Sequence, residues 1–340
     1  MTLELITTSF LTYLTDIASY LANANQRVFW LYLLSTIPLG YIGYRQYCIR
    51  KAKSQNKAQP SGFLSYLFNP VIWFHPSARH DYAIFLINKV LKLTGLTISL
   101  VLMAPIAISL SGDIELLLGK SALLNTPLWL VGISFTFILF ILDDFTRFLA
   151  HYLLHKIPFL WEFHKVHHSA KVLTPMTIYR SHPVESLLFA TRMAGTQGIA
   201  VGISYYLFGP TLEMSAIFGA NVFVFVFNLM GSNLRHSHVW LSWGDKAEKL
   251  FISPAQHQIH HSNLPKHFDT NFGSALAIWD RMFHCYLPAS AIHNPHELAF
   301  GISRKNTEHQ SLVEIYFMPF VLAFGGLIKP LRRLIKRKQV

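Results

Sequence analysis

HYLLHKIPFLWEFHKVHHSA, His151 to Ala170, carries five histidines, at positions 151, 155, 164, 167 and 168. His151 and His155 are four apart, so on a helix they share one face, with Cβ atoms about 5–6 Å apart. His164, His167 and His168 stand at i, i+3 and i+4, again one face of one helix. Pro158 lies between the two runs, breaks the helix and lets the second run fold back on the first. A third cluster, His257, His260 and His261 in HQIHHS, repeats the i, i+3, i+4 spacing. Eight imidazoles gathered in the charged state would repel; gathered neutral and unpartnered, they would leave buried polar atoms unsatisfied. A metal removes both difficulties, because neutral imidazole suits iron, zinc and copper. Eight ligands exceed what one ion takes, so two ions are implied.

Further donors lie nearby in sequence. His236, in GSNLRHSHVW about twenty residues before the third box, is expected to ligate. His182, in YRSHPVE, is a further candidate, with a polar turn before Pro183 as its structural alternative. His238 is read either as a support for a ligating histidine or as structural, and His75, His80, His267, His284, His293, His296 and His309 follow no box spacing and are expected on surfaces or loops. Asp144 precedes His151 by seven and His155 by eleven, two and three helical turns, so it shares their face. It is expected either to bind metal directly or to accept the Nδ1–H of a ligating histidine; a helix-end charge is the plain alternative. Asp269 and Asn271, in HFDTNFG, follow the third box closely and are expected to orient its histidines. Asp280 reads as a partner of Arg281 or of a nearby helix end.

The rest of the chain sets the solvent. Of 340 residues, 52% are hydrophobic and 14% charged, against about 25% charged in soluble domains. Apolar runs cover Val28–Tyr44, Leu93–Leu110, Ala122–Leu142, Ser186–Phe208 and Met214–Met230, near the roughly 17–25 residues that cross a bilayer. The last two are expected to form a helical hairpin turning at Gly209 and Pro210, with Gly198 and Gly202 letting a neighbouring helix approach closely. Arg45, Arg50, Lys51, Lys53, Lys57, Arg79, Lys89 and Lys92 separate the first two runs, whereas Asp113, Glu115 and only Lys120 follow the second. The positive-inside tendency therefore puts 45–92 in the cytoplasm, the N-terminus and 111–121 on the far side, and all three histidine clusters in the cytoplasm. The net charge of +12 then faces anionic headgroups, and no nucleic-acid partner is needed. MTLELITTSF does not read as a cleaved signal peptide. Cys48 and Cys285 are expected to be reduced and inert.

Three regions are read: 1–120, an N-terminal membrane region with a linker at 48–62; 121–310, the histidine-bearing domain; and 311–340, an interfacial helix with a basic tail. Lys336 and Lys338 have the spacing of a dilysine retrieval signal, although a lipid-contacting tail explains them as well. The expected fold is all-α, a multi-pass helical membrane bundle with a cytoplasmic histidine-rich helical cap. Other chemistries find little support: there is no HExxH or GxSxG, and GKS at Gly119 to Ser121 lacks the earlier glycine of a phosphate loop.

DDFTRFLAHYLLH, LWEFHKVHHS, RSHPVE, NLRHSHV, QHQIHHS and DTNFGSALAIWDRMF, in this order and spacing, resemble the fatty acid hydroxylase/sterol desaturase superfamily of membrane di-iron oxygenases. The similarity covers about residues 135–287 and leaves the first 120 without a motif. The resemblance implies a four-helix membrane core under a cytoplasmic histidine unit. It implies two iron ions (zinc would also fit), held by His151, His155, His164, His167, His168, His257, His260 and His261, with His236 as a ninth ligand. It implies O2 as cosubstrate and a membrane lipid as substrate, whether sterol, fatty acyl, sphingoid or ether lipid. Hydroxylation of a C–H bond leads, with desaturation at the same site as the alternative. A histidine-rich metal-binding or transport protein, or a two-zinc hydrolase, is the reading from another class. Electrons are expected from a separate reductase, ferredoxin or cytochrome b5-like partner, and the location is an inner membrane of a bacterium or an endoplasmic reticulum. The lipid is expected to enter between the hairpin and the third apolar run.

Overall fold

The apolar run at Ala122–Leu142 becomes the longest straight helix of the region, and it does not stop where the apolar residues stop. In a computed structural model, which describes residues 3–53, 62–93, 100–121, 123–217, 219–302, 309 and 311–337, it runs from Leu128 to Lys156. Pro127 precedes the first turn, where its missing N–H costs nothing. At 29 residues the helix is about 43 Å long, so one rigid rod carries both apolar side chains and His151 and His155. Among the described residues it is the one helix long and apolar enough to cross a membrane.

The fold is all-α. In chain order the helices are α1 (Leu3–Ala22), α2 (Trp30–Lys53), α3 (Phe63–Leu67), α4 (Pro70–Trp73), α5 (Pro76–Leu93), α6 (Met103–Leu118) and the long α7 (Leu128–Lys156). They continue as α8 (Pro158–His168), α9 (Pro183–Phe208), α10 (Val222–Leu229), α11 (Asp245–Glu248), α12 (Pro254–His260), α13 (Ile278–Met282) and α14 (Leu312–Arg337). Two-residue strands β1 (Ala216–Ile217) and β2 (Ala220–Asn221) pair antiparallel. Tight 3-10 turns occupy Pro175–Tyr179 and Ser232–His236.

Helices α6, α7 and α9 lie side by side. α6 runs in the same direction as α9: Leu100 N donates to Thr191 Oγ1 at one end (3.1 Å), and Ser121 Oγ to Leu207 O at the other (2.9 Å). The close approach comes from the two expected glycines. A Cβ on Gly198 would stand 2.7 Å from Ile106 Cβ, and one on Gly202 2.9 Å from Ala107 O. α7 packs beside α9, with Thr146 and Thr196 hydroxyls 2.9 Å apart and Arg192 bonded to Asp143 at 2.8 Å.

Several expectations change. The second run was expected to end at Leu110; residues 94–99 lie outside the described residues, and α6 carries on through Asp113 and Glu115, both exposed, to Leu118. The return arm at Met214–Met230 is not one helix. Gly209, Pro210 and Gly219 keep 209–217 and 219–221 out of helix, and Asn221 Oδ1 caps α10 by accepting from Phe223 N at 3.0 Å. That irregular backbone is satisfied by α7: Ser215 N donates to Thr136 Oγ1 (2.7 Å), and Asn221 Nδ2 to Thr136 O (3.1 Å), which is how non-helical chain persists against an apolar bundle. α10 has 8 residues, too short at about 12 Å to span anything.

The first run, Val28–Tyr44, is helical, but it lies along the histidine-bearing segment. Arg27 at its head donates to Asn228 Oδ1 (2.6 Å) and Ser232 Oγ (2.9 Å); Gly43 meets Val239 and Trp240 further along. Both ends therefore touch one unit, and α1 packs on α5 through Tyr13–Leu86 and Asp16–Lys89. Cys48–Lys53 extend α2, and linker residues 54–61 and Lys338 lie outside the described residues. α14 packs on α8 through Phe159–Phe324 and Phe163–Phe320, and Ile84, Val166 and Ile315 form a buried cluster beside it.

Gly198→Leu and Gly202→Leu should each lower stability by about 1–3 kcal/mol by overpacking, read as a lower thermal midpoint in detergent. Gly195→Ala, which meets nothing within 4 Å, should leave the midpoint unchanged or raise it.

Candidate metal centre

All nine box and near-box histidines converge, and they do so in two groups. His151, His155, His164, His168 and His260 form one; His167, His236, His257 and His261 form the other, each with its ligand atoms within 4.8 Å of one another. Each HxxHH box is divided. In α8 the i, i+4 pair His164 and His168 serves the first group, while His167 serves the second. In α12 the pair His257 and His261 serves the second, while His260 serves the first. Two short helices thus face each other across both groups, and α7 and the Ser232–His236 turn complete one group each.

The geometry asks for cations. In the first group, the Nε2 atoms of His151, His155, His164, His168 and His260 are buried and, among the described residues, meet no hydrogen-bond partner. In the second, His236 Nε2 lies 3.2, 3.1 and 3.0 Å from the Nε2 atoms of His167, His261 and His257, and His261 and His257 are 3.3 Å apart. Nitrogens sharing one ion at about 2.0–2.1 Å stand about 2.8–3.4 Å from each other. Hydrogen bonds cannot account for four such contacts, because a neutral imidazole has one N–H and that of His167 is directed at Arg180 O (3.3 Å). Burial lowers His164 to about 3 and His167 to about 4, and holds His168, His236, His257, His260 and His261 well below the ordinary histidine value. They are neutral, with lone pairs available.

Partners on the far ring nitrogen aim those lone pairs. His151 Nδ1 donates to Phe272 O (2.8 Å), His260 Nδ1 to Thr270 O (2.8 Å) and His164 Nδ1 to Glu185 Oε1 (2.9 Å). Each bond fixes the tautomer with Nε2 inward, and the carboxylate of Glu185 also raises the basicity of His164. Sequence reasoning passed over Glu185 and Arg180 in RSHPVE. The signal was the acidic residue in the first turn of a helix opened by Pro183. Arg180 is 1% exposed; its guanidinium bonds Asp81 (2.8 Å), Val166 O (2.9 Å) and Ser169 Oγ (2.8 Å), tying the end of α8 to α5.

The other candidates stand outside the two groups. Asp144 is buried, and its carboxylate accepts from Ala275 N (2.7 Å), Leu276 N (3.0 Å) and Trp279 Nε1 (2.9 Å), with no ring nitrogen among these donors. It pins the 270–280 loop to α7. Asp280 does likewise from inside the loop, accepting from Phe272 N (2.6 Å) and Gly273 N (3.0 Å); burial pushes its carboxyl up to about 7. It sits in the first turn of α13 and serves its own loop, where pairing with Arg281 or a nearby helix end was expected. Asn271, at φ +56°, bonds Gln256 O (3.1 Å) and both backbone polar groups of Leu287 (2.9 and 2.8 Å). Asp269, at φ +59°, is half exposed and pairs with Lys156 at 2.7 Å. His182 caps α9, accepting from Val184 N (3.2 Å) and donating to Tyr316 O (3.1 Å), so both ring nitrogens are engaged. His238 donates to Tyr66 O (2.7 Å). His267, expected on a surface, is buried against Ser262 Oγ at 2.9 Å.

Cavities open on both sides. One of about 260 Å³, between α7 and α9, reaches His151, His164, His167, His236 and His257. Its apolar wall is Ile178, Phe189 and Phe272, but Arg27, Arg147 and Arg235 also line it, so the expected lipid path is not purely apolar. The second, about 310 Å³, reaches His155, His168, His260 and His261 beside Trp161, Asn263 and Asp269.

Residues 136–285 match the family model for fatty acid hydroxylases, in agreement with the resemblance drawn from the boxes. The chain is 23% identical over 192 residues to the alkylglycerol monooxygenase of Caenorhabditis elegans, covering 56% of this chain and 34% of that protein. It is 31% identical over 156 residues to the ornithine lipid hydroxylase of Rhizobium tropici, covering 46% and 40%. It is 23% identical over 176 residues to a very-long-chain aldehyde decarbonylase of Oryza sativa subsp. japonica, covering 51% and 62%. The chain thus spans less than two thirds of each of these relatives. No solved structure matches it.

Glu185→Ala should weaken metal loading about 10- to 100-fold, measured by metal titration of the purified protein. Asp144→Ala should instead lower the thermal midpoint while the folded fraction keeps its full metal stoichiometry, because Asp144 holds backbone N–H groups and no imidazole.

Proposed function

Through residues 136–285 this chain is a member of the fatty acid hydroxylase superfamily, and from that premise we propose that it is a membrane-bound, O2-dependent oxidoreductase that hydroxylates a lipid at a centre of two iron ions. The observation that carries this reading is the pair of buried histidine groups with inward Nε2 atoms and no carboxylate in either set. A row of histidines along a path through α6, α7 and α9 would have favoured a transporter; two closed groups at the end of the bundle favour chemistry.

The membrane setting rests on α7 and on the apolar side chains left outside the core. Leu116, Leu117 and Leu118 of α6, Leu128, Trp129 and Phe137 of α7, and Met193, Ile199 and Tyr205 of α9 are exposed. A patch of that extent marks contact with lipid or protein. α2 adds an exposed stripe at Trp30, Leu34, Ile37 and Tyr41, and α14 another at Val313, Phe317, Val321 and Phe324. We assign both to the plane of the membrane surface, on the side of the histidine unit.

When bound, the metals supply O2 reduction and the oxidising power to break an unactivated C–H bond. In the balance, one oxygen atom enters the C–H bond and the other leaves as water, with two electrons and two protons from a separate donor. The chain's own residues supply position and dryness. Phe272 O, Thr270 O, Arg180 O and Glu185 hold four of the imidazoles, and Phe189, Ile178 and Phe272 shape the cavity in which the reacting carbon stands.

His155→Ala and His257→Ala remove one ligand from each group. Each should reduce O2-dependent product by more than the roughly 10- to 100-fold typical of losing an outer partner. The measurement is lipid analysis of membranes supplied with ferrous iron, a reductase and O2, alongside metal content. Bound iron with no oxidised lipid under any reductase would overturn the reading.

A further inference from the structure

The histidine groups do not use the arginines around them. Arg27 precedes α2, Arg147 lies one turn before His151 on α7, and Arg235 directly precedes His236; all three line the cavity that reaches both histidine groups. Arg27 Nη1 is held by two neutral acceptors, Asn228 Oδ1 (2.6 Å) and Ser232 Oγ (2.9 Å). Arg235 is 4% exposed and its bonds go to carbonyls, Ser232 O (3.2 Å) and Ser274 O (2.5 Å). Arg147 shares one carboxylate, Asp143, with Arg192 (2.9 and 2.8 Å). Around this cavity, among the described residues, four guanidiniums thus bond one carboxylate. Asp144 acts on Arg147, Arg192 and Arg235 only through space, its oxygens being taken by Ala275, Leu276 and Trp279, and Glu185 bonds His164; four guanidiniums still outnumber the three carboxylates.

A guanidinium does not shed its proton to escape burial, and neutral imidazoles around metal cations would add positive charge to the cavity. The missing component is an anion on the substrate side. Arg is the side chain whose planar fork matches carboxylate and phosphate oxygens. A cavity of about 260 Å³ has room for roughly nine water-sized groups, enough for a head and a few carbons but not for a long chain.

We propose that Arg27, Arg147 and Arg235 bind the anionic head of the lipid, a carboxylate or phosphate, and hold the carbon to be oxidised within a few bonds of that head. This rests on the lipid-oxidising reading of the same site and narrows its substrate class. The remainder of the chain leaves the cavity past Phe189, toward the exposed apolar side chains Leu188 and Met193 of α9.

The test measures binding to the iron-loaded 340-residue chain, kept free of O2 in zwitterionic detergent, using dodecyl phosphate, 1-dodecylglycerol and inorganic phosphate as probes. Dodecyl phosphate should bind at least about tenfold more tightly than either of the others. Arg27→Gln and Arg147→Gln should each weaken it by about 10- to 100-fold, the worth of one charge-assisted contact, with Arg27→Lys intermediate and 1-dodecylglycerol binding unchanged. Thermal unfolding without probe identifies a variant that fails to fold, and the other Arg→Gln variant then decides. Equal binding of the neutral probe, or unaltered binding in a folded variant, overturns the inference. Inorganic phosphate binding as tightly as dodecyl phosphate would make this a free-anion site and overturn the lipid assignment. Iron content measured in parallel separates the two claims. If wild type takes up no iron, the hydroxylase reading fails whatever the probes do; if head discrimination is absent while iron loads fully, only this inference fails.

Discussion

Nine imidazoles must be buried, neutral and turned with Nε2 inward, and most of the surrounding architecture answers to that demand. A histidine ring has two nitrogens, so aiming one requires an acceptor for the other, and the acceptors come from widely separated segments. Phe272 O and Thr270 O belong to a loop in which Asp269 and Asn271 adopt positive φ. That conformation is rare for any residue but glycine, though least so for Asn and Asp. The loop stays in place because Asp280 and Asp144 together take four of its backbone N–H groups and Asn271 ties it to the start of α12. Gly273 is required there, since a Cβ would stand 2.5 Å from Asp280 Oδ2. The acidic residues near the histidines therefore act at one remove: they hold the carbonyls that hold the rings.

The same demand binds the N-terminal helices to the site. Arg180 gives its carbonyl to His167 and its guanidinium to Asp81 of α5, with both charges fully buried. Breaking one side of such a pair leaves an uncompensated charge, so α5 and α8 are held as one body. Arg27 draws the head of α2 to the cavity through the neutral acceptors Asn228 and Ser232. α7, continuous from its apolar half to His155, joins the helical bundle to the histidine groups without a break in the helix.

Much of this was legible in order and spacing. The i, i+3, i+4 boxes singled out the histidines that converge because helical periodicity is local, and Gly198 and Gly202 announced a close helix neighbour for the same reason. The topology was less legible. An apolar run such as Val28–Tyr44 reads alike whether it crosses a bilayer or lies with one face on protein and the other on lipid. Met214–Met230 read as helix by hydropathy, although Gly219 and Asn221 carried the contrary signal. Asp144 shared the histidine face by helical arithmetic, yet its carboxylate bonds the backbone of a loop 130 residues away in sequence, a partner no local pattern encodes.

What the sequence by itself determined is a donor set: eight imidazoles at helical spacing, with His236 nearby, beside long apolar runs. The tertiary structure alone decided the division of each box between two groups, the choice of Glu185 over Asp144 as the carboxylate on an imidazole, and the ring of arginines over the cavity. The reason is physical. Periodicity fixes which residues share a face of one helix, but ligand sets, counterions and hydrogen-bond acceptors are relations between faces of different helices, and those exist only once the chain has packed.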